Sequence, residues 1–230
     1  MNSPMISLRD VGFTYRTLTG LITIEKYQAL KSINLEVLPG ETLGVIGTNG
    51  SGKSTLLKVL ARIYIPDQGQ ILFNAGKVSL LSLALGFDPR LSGNDNAILS
   101  SMLLGATFKE ASQKLQDVID FSELGEFASH PVRTYSSGMR ARLGFSVALR
   151  MKTDVLLIDE ALAVGDVHFR AKSERAIVDK VTSSQTVVLV SHSANQINRL
   201  CDRAVWIDKG EIILSGATDV VTKKYEEANQ

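Results

Sequence analysis

Nine consecutive residues, Gly47, Thr48, Asn49, Gly50, Ser51, Gly52, Lys53, Ser54 and Thr55, satisfy the spacing G-x-x-x-x-G-K-[ST] between an apolar run and a helical pattern. This is the pattern of a phosphate-binding P-loop. Leu43 to Ile46 read as a buried strand and Lys53 to Arg62 as a helix, so the glycines must turn the backbone tightly and aim its N–H groups inward. A triphosphate would there meet a nest of amides together with a helix N-terminus. Lys53 would pair with the β and γ phosphates, the Ser54 hydroxyl would take one position on Mg²⁺, and Thr55 would support the α/β phosphate region.

Two further segments carry suitable groups. Val155 to Ile158 form an apolar run that ends in Asp159-Glu160, which places two carboxylates at the carboxyl end of a strand, where ligands sit in open α/β sheets. Asp159 would orient Mg²⁺ and Glu160 would polarise an attacking water as general base. In Thr134 to Leu143 a loop turns into a helix through Tyr135-Ser136-Ser137-Gly138. There Ser136 could donate its hydroxyl, Ser137 could cap and Gly138 permits close backbone approach, giving a second anion site. Alone, Ser-Ser-Gly is an ordinary helix start. Two separated phosphate sites in one chain could nevertheless hold a triphosphate between two copies of it.

The elements that must position these residues follow from patterning. Ile6 to Tyr15 and Leu21 to Val37 contain β-branched runs that stop at Pro39-Gly40, the pattern of an antiparallel β region, and Gly69 to Phe73 begins a further strand. From Leu91 to about Pro131 the periodicity becomes helical, with Ala97 to Leu104 and Phe108 to Leu124 as helices and a further helix from Gly138 to Arg150. Val155 to Ile158 and Thr186 to Val190 read as buried parallel strands, with a helix over Val167 to Val181 between them. Val205 to Ile207 and Ile212 to Leu214 flank Asp208-Lys209-Gly210-Glu211 as a hairpin. The expected fold is therefore α/β: a P-loop core with a mostly parallel sheet, an N-terminal antiparallel β subdomain, and an inserted helical subdomain over about 91–150, all within one domain of 230 residues.

Composition bounds the function. With 25 basic and 24 acidic residues the net charge is +1, which gives no electrostatic case for a nucleic-acid partner. The one cysteine, Cys201, fits a reducing compartment and reads as a small core side chain. The N-terminus shows no signal peptide, and the longest uncharged apolar stretch, Val78 to Phe87, is well under the roughly 20 residues a membrane helix needs. A cytoplasmic location is expected, with any membrane span supplied by a partner.

Taken together, these motifs resemble those of the nucleotide-binding subunits of ATP-binding-cassette transporters, across essentially all 230 residues. Gly47 to Thr55 is similar to the family's Walker A motif, Tyr135 to Met139 to its signature, and Val155 to Glu160 to its Walker B with the catalytic glutamate. Asp166, in Ala163-Val164-Gly165-Asp166, falls at the D-loop, His192 at the switch histidine, and Tyr15 at the aromatic that stacks on adenine, with Tyr27 nearby as the alternative. His192 directly follows the strand that ends at Val190, so its imidazole can reach the γ-phosphate from the same sheet edge. The resemblance implies ATP and Mg²⁺ as ligands and a head-to-tail homodimer enclosing two ATP. It also implies a separate polytopic membrane permease and a peripheral position on the cytoplasmic face of the inner membrane.

Two departures stand out. Tyr135, Ser137 and Met139 replace the signature's Leu, Gly and Gln, leaving Ser136 and Gly138 as the phosphate-facing pair, and no glutamine occurs between Ile71 and Asn96, where Ser82 is the nearest equivalent of the Q-loop residue. The sequence Tyr-Ser-Ser-Gly-Met-Arg-Ala-Arg-Leu-Gly-Phe-Ser, with Asp-Glu-Ala-Leu-Ala-Val-Gly-Asp and Leu-Gly-Phe-Asp-Pro, is similar to the subfamily that exports lipid-linked polysaccharides such as O-antigen, capsule and teichoic acid. A transporter for lipid, drug or solute, and an ATPase without a membrane partner, are the alternatives. No carbohydrate-binding domain is expected after the helix-like segment Thr218 to Glu227. The face toward the membrane subunit is expected around Val78 to Ile98.

Overall fold

The computed structural model of the chain describes residues 3–19, 23–81, 86–159 and 166–229. Contacts divide them into two compact units. The first runs to Val78, resumes with the strand after Thr153, and takes the chain from Lys180 onward; the second spans Ser79–Thr153 and the segment ending at Asp179.

The first unit holds two sheets. Strands β1 (Ile6–Thr19) and β2 (Thr23–Val37) form a long antiparallel pair, in which Leu18 lies opposite Ile24 and Tyr15 opposite Tyr27. The register shifts three times between Leu8 and Thr14, where the left-handed Asp10 marks a bulge. β3 (Thr42–Ile46) follows, then α1 (Lys53–Leu60), and then β4 (Gln68–Phe73), which adds to β1 to complete the antiparallel sheet. Helix α1 stops two residues short of the expected Arg62 because Ala61 leaves the helical conformation and Arg62 is left-handed, at φ 60°. β5 (Val78–Leu80) leads out of the unit.

β6 (Val155–Ile158), β7 (Thr186–Ser191) and β8 (Arg203–Asp208) join β3 in the order β6-β7-β3-β8, all parallel, and β9 (Glu211–Gly216) closes that edge as an antiparallel hairpin partner of β8. β3, β6 and β7 are buried at every position, which explains their unbroken apolar runs. Two helices cover one face: α6 (Ala194–Leu200) and α7 (Thr218–Ala228) pack Ile197 and Val221 against Ile46 and Ala204.

The second unit is helical. α2 (Gly93–Leu103), α3 (Phe108–Ser122) and α4 (Ser137–Arg150) surround a core of Val118, Leu124, Val132, Tyr135, Leu143 and Val147. α2 begins four residues before the expected Ala97, since Ser92 caps it by accepting from the Asp95 amide. Thr107 and Glu110 form a reciprocal capping box on α3. α5 (Val167–Val181) begins in this unit, and its Phe169 completes an aromatic trio with Phe121 and Phe145 at centroid separations of 5.8 and 6.0 Å.

Candidate functional site

Because β6, β7 and β3 are adjacent and parallel, the segments leaving their carboxyl ends must emerge side by side. Register makes this concrete: Ile158 pairs with Leu189, and Ile46 pairs with Ser191. Asp159 follows β6, His192 follows β7 and Gly47 follows β3, so three stretches more than thirty residues apart in sequence come to one sheet edge.

The loop after β3 is built tightly. Gly52, the residue before α1, stands at φ 112°, and a Cβ there would lie 2.8 Å from the Ala29 carbonyl oxygen. A Cβ on Gly47 would lie 2.6 Å from Ser51 Oγ. Lys53 turns back over the loop and donates from Nζ to the carbonyl oxygens of Gly47 and Thr48, both at 2.8 Å. Burial pushes its ammonium below the ordinary lysine range, and the Asp159 carboxylate partly offsets that. Ser51 is buried, and its Oγ has no hydrogen-bond partner among the described residues. A buried cation resting on carbonyls and an orphaned hydroxyl in the same loop are what a phosphate group would satisfy.

Asn49, Gly50, Gly52, Lys53, Ser54, Thr55 and Asp159 line a cavity of ≈ 220 Å³ together with Ala29 and Tyr27. Ser54 is exposed there and shares the cavity wall with Asp159, so a hydroxyl and a carboxylate, the oxygen donors a hard divalent cation takes, face one space. Thr55 is buried, and its hydroxyl is 3.1 Å from the Tyr15 phenol. The Tyr15 ring packs edge-on against Phe13 and Tyr64 and is not in the cavity wall. Its cross-strand neighbour Tyr27 is in the wall, 58% exposed, with its hydroxyl 3.3 Å from the Gly50 carbonyl that it donates to. Tyr27 is the alternative that the sequence offers; the two tyrosines form one cross-strand pair, and the packing of Tyr15 against Phe13 and Tyr64 is what leaves Tyr27 at the cavity.

The turn that carries His192 is fixed on both sides. Ser191 Oγ donates to Gln196 Oε1 at 2.8 Å and accepts from the Ser193 amide at 3.0 Å, while Ser193 caps α6 through the Gln196 amide. His192 itself is exposed. Glu160 and Ser82 lie outside the described residues.

In the second unit, the start of α4 differs in one detail from expectation. Ser136, not Ser137, is the cap: its backbone is extended, and its Oγ accepts from the Met139 amide at 3.1 Å. Ser137 is the first helical residue, and both serines are exposed, with Gly138 half-buried beside them. Asp166 caps α5, its carboxylate accepting from the Phe169 amide at 2.9 Å, and Arg142 lies 3.8 Å away. That amide, more than Arg142, holds the Asp166 carboxyl below its ordinary range.

A strand, a glycine-rich loop closing over a buried lysine, a helix, and a carboxylate from the neighbouring region of the sheet define a nucleotide-binding domain of the P-loop class. The family model described as ABC transporter matches residues 30–163. The chain belongs to that family. It is 47% identical over 200 residues to the O-antigen export system ATP-binding protein RfbB of Myxococcus xanthus, covering 87% of this chain and 46% of that protein. A protein of the same name from Klebsiella pneumoniae is 39% identical, over 96% of this chain and 90% of that one. The teichoic acids export ATP-binding protein TagH of Enterococcus faecalis is 42% identical, over 88% and 45%. The chain thus spans under half the length of two of these relatives. Among solved structures, a dimeric bacterial ABC transporter cassette superposes with a TM-score of 0.74 over 93% of this chain and 99% of that one, at 24% identity, which establishes the shared fold. No helix among the described residues is long and apolar enough to cross a membrane.

Proposed function

We propose that the chain is the ATP-hydrolysing subunit of an exporter that drives a lipid-linked polysaccharide across the cytoplasmic membrane. The observation that carries the ATPase reading is the convergence of the P-loop, Asp159 and His192 at one sheet edge, with a buried lysine whose hydrogen-bond partners there are backbone carbonyls. The polysaccharide rests on the relatives named for O-antigen and teichoic acid export.

Lys53 exchanges the Gly47 and Thr48 carbonyls for phosphate oxygens, and the amides of residues 50–54 orient the same groups at the start of α1. Ser54 and Asp159 would hold Mg²⁺, which when bound neutralises charge on the β and γ phosphates. Tyr27 offers its exposed ring at the mouth of the cavity for stacking of the base, while Tyr15 supports Thr55. Glu160 takes a proton from the attacking water and His192 steadies the γ-phosphate from the neighbouring strand end. The exposed Ser136, Ser137 and Gly138 at the start of α4 meet the phosphates held by a second copy, so the chain works as a head-to-tail dimer, with the start of α5 after Asp166 close to that contact. A separate polytopic permease carries the glycan, and this subunit sits peripherally on its cytoplasmic face.

The test is purification from native membranes in mild detergent, with the associated proteins identified by mass spectrometry. A stoichiometric polytopic protein, together with intracellular build-up of lipid-linked polysaccharide when Lys53 is replaced by Ala, is the expected result. Recovery with ribosomes or nucleic acid, or alone, refutes the transport reading; build-up of a different cargo refutes the glycan.

A further inference from the structure

The two exposed serines at the start of α4 are useful only if that turn is held still, since contact geometry for a phosphate tolerates errors of a fraction of an ångström. The residues just before it, Arg133 and Thr134, are exposed and belong to a single 3₁₀ turn, Val132–Thr134, which is a weak mount. The mount lies instead in Tyr135, the position at which this chain departs from the leucine expected by resemblance. Its side chain is 4% exposed, and its hydroxyl donates to the Phe127 carbonyl at 2.6 Å. The Gly93 amide, which donates to the His130 carbonyl at 3.2 Å, also faces the phenol oxygen. Gly93 has to be glycine for this to happen. A Cβ there would overlap the phenol oxygen and would lie 3.1 Å from the ring's Cζ and 3.0 Å from the Ala128 carbonyl.

The segment that ends at Gly93, against which the phenol packs, is itself braced. Asn96 is fully buried and spends every hydrogen-bonding atom on residues 88–92: its Oδ1 accepts from the Asp88 amide at 2.8 Å, and its Nδ2 faces the carbonyls of Asp88, Leu91 and Ser92 at 2.9 to 3.1 Å. From outside, the Val132 amide donates to Leu91 and the Arg133 amide to Pro89, each at 2.9 Å. Residues 88–93 and 130–135 are thereby stitched into one piece that ends at Ser136.

We propose that Tyr135 is a positioning residue: its hydroxyl ties the Ser136–Gly138 turn to the Phe127 carbonyl in the 3₁₀ turn Gly125–Ser129, and its ring end packs on Gly93 at the end of the Asn96-braced segment 88–93, so that the turn presents its hydroxyls and amides to a nucleotide phosphate in a fixed place. An apolar leucine could fill the same core space but could not fix the turn's position, because it has no directional bond to give. Burial raises the phenol above the ordinary tyrosine range, so it stays a neutral donor throughout physiological pH.

This inference rests on the reading that α4 meets phosphate held by a second copy, and the experiment separates the two. In a Glu160→Gln background, ATP-dependent dimerisation is followed by analytical ultracentrifugation, alongside the affinity of the monomer for a fluorescent ATP analogue and a thermal melt. Tyr135→Phe removes one oxygen and keeps the ring. The expected result is unchanged monomer affinity, since the P-loop is untouched, with dimerisation weakened about 25-fold, the worth of one ordinary hydrogen bond of about fivefold in each of the two copies. Gly93→Ala, which displaces the phenol without altering it, should give the same split, and adding it to Tyr135→Phe should weaken dimerisation less than it does alone. Dimerisation by Tyr135→Phe equal to that of the Glu160→Gln parent overturns the positioning role alone. Equal losses in monomer affinity and dimerisation also overturn it, because the hydroxyl would then serve general folding. A parent that binds ATP and never dimerises overturns the reading beneath it.

Discussion

Replacing Gly44 by Ala tests whether the sheet edge and the histidine turn are mechanically one object. Gly44 is the centre of β3, the strand that delivers the P-loop, and α6 lies against it. A methyl group there would sit 2.9 Å from Cys201 Sγ, 2.9 Å from Ile197 Cδ1 and 3.0 Å from Ile197 Cγ2, closer than side chains pack in folded proteins. Ile197 is fully buried and cannot swing into solvent, so α6 must move outward, taking its Ser193 cap and His192 with it. Overpacking of this kind costs about 1–3 kcal/mol, which for a chain of this length lowers Tm by roughly 2–12 °C. ATP turnover should fall in parallel, because His192 leaves its place beside the P-loop. The control combines Ile197→Ala with Cys201→Ala, which removes all three of the close atoms. In that background Gly44→Ala should cost about 1 kcal/mol less, read by chemical denaturation and by steady-state ATPase activity. An equal loss in both backgrounds would mean that Gly44 acts through something other than α6 and would refute the coupling of β3 to the histidine turn.

Other perturbations bear on the charges. Lys53→Met should abolish hydrolysis and also flatten stability at alkaline pH. Burial lowers the folded-state pKa of this lysine, so the unfolded chain binds more protons between that value and the ordinary one, and wild-type stability climbs with pH across that window. A wild-type protein without the climb, measured by urea unfolding of the nucleotide-free chain, would refute this. For Asp166 the sign is opposite: its folded pKa is depressed, so its stabilising contribution is full above the ordinary carboxylate range and disappears as pH falls through the lowered value. The stability gap between wild type and Asp166→Ala should therefore close in acid, and a gap of constant size from pH 7 to pH 3 would contradict it. Tyr27→Ala should raise KM for ATP about tenfold while leaving kcat nearly unchanged, from the loss of one stacking contact; a larger effect from Tyr15→Phe would reverse their assigned places.

The parts of this architecture that were legible in the sequence are those with a local cause. β3, β6 and β7 announce themselves as short apolar runs because both their faces are buried, and the P-loop follows from glycine spacing. What escaped depends on distant partners. Tyr15 and Tyr27 lie directly opposite each other across β1 and β2, and it is the packing of Tyr15 against Phe13, Tyr64 and the Thr55 hydroxyl that keeps its ring out of the cavity wall. The sequence places the first helix of the helical region from Ala97 because Ser92-Gly93-Asn94-Asp95-Asn96 is a string of turn formers, whereas α2 begins at Gly93. Two of them are in fact a cap and a buried brace, roles that only the folded chain reveals. Ser136 displaced Ser137 as the cap by a single residue, a difference that backbone conformation alone settles.

The strand order also has a consequence for how the protein is made. β3 has emerged by residue 46, but its sheet neighbours β7 and β8 begin at Thr186 and Arg203. At ordinary rates of about 5–20 residues per second, the ribosome needs roughly 7–30 s to supply the first of them. Throughout that interval a five-residue strand and the glycine-rich loop after it leave the exit tunnel with both sheet edges unpaired. The sheet edge that carries the P-loop is thus a late product of translation, completed only after β7 and β8 have followed β6 out of the ribosome, more than a hundred residues behind β3.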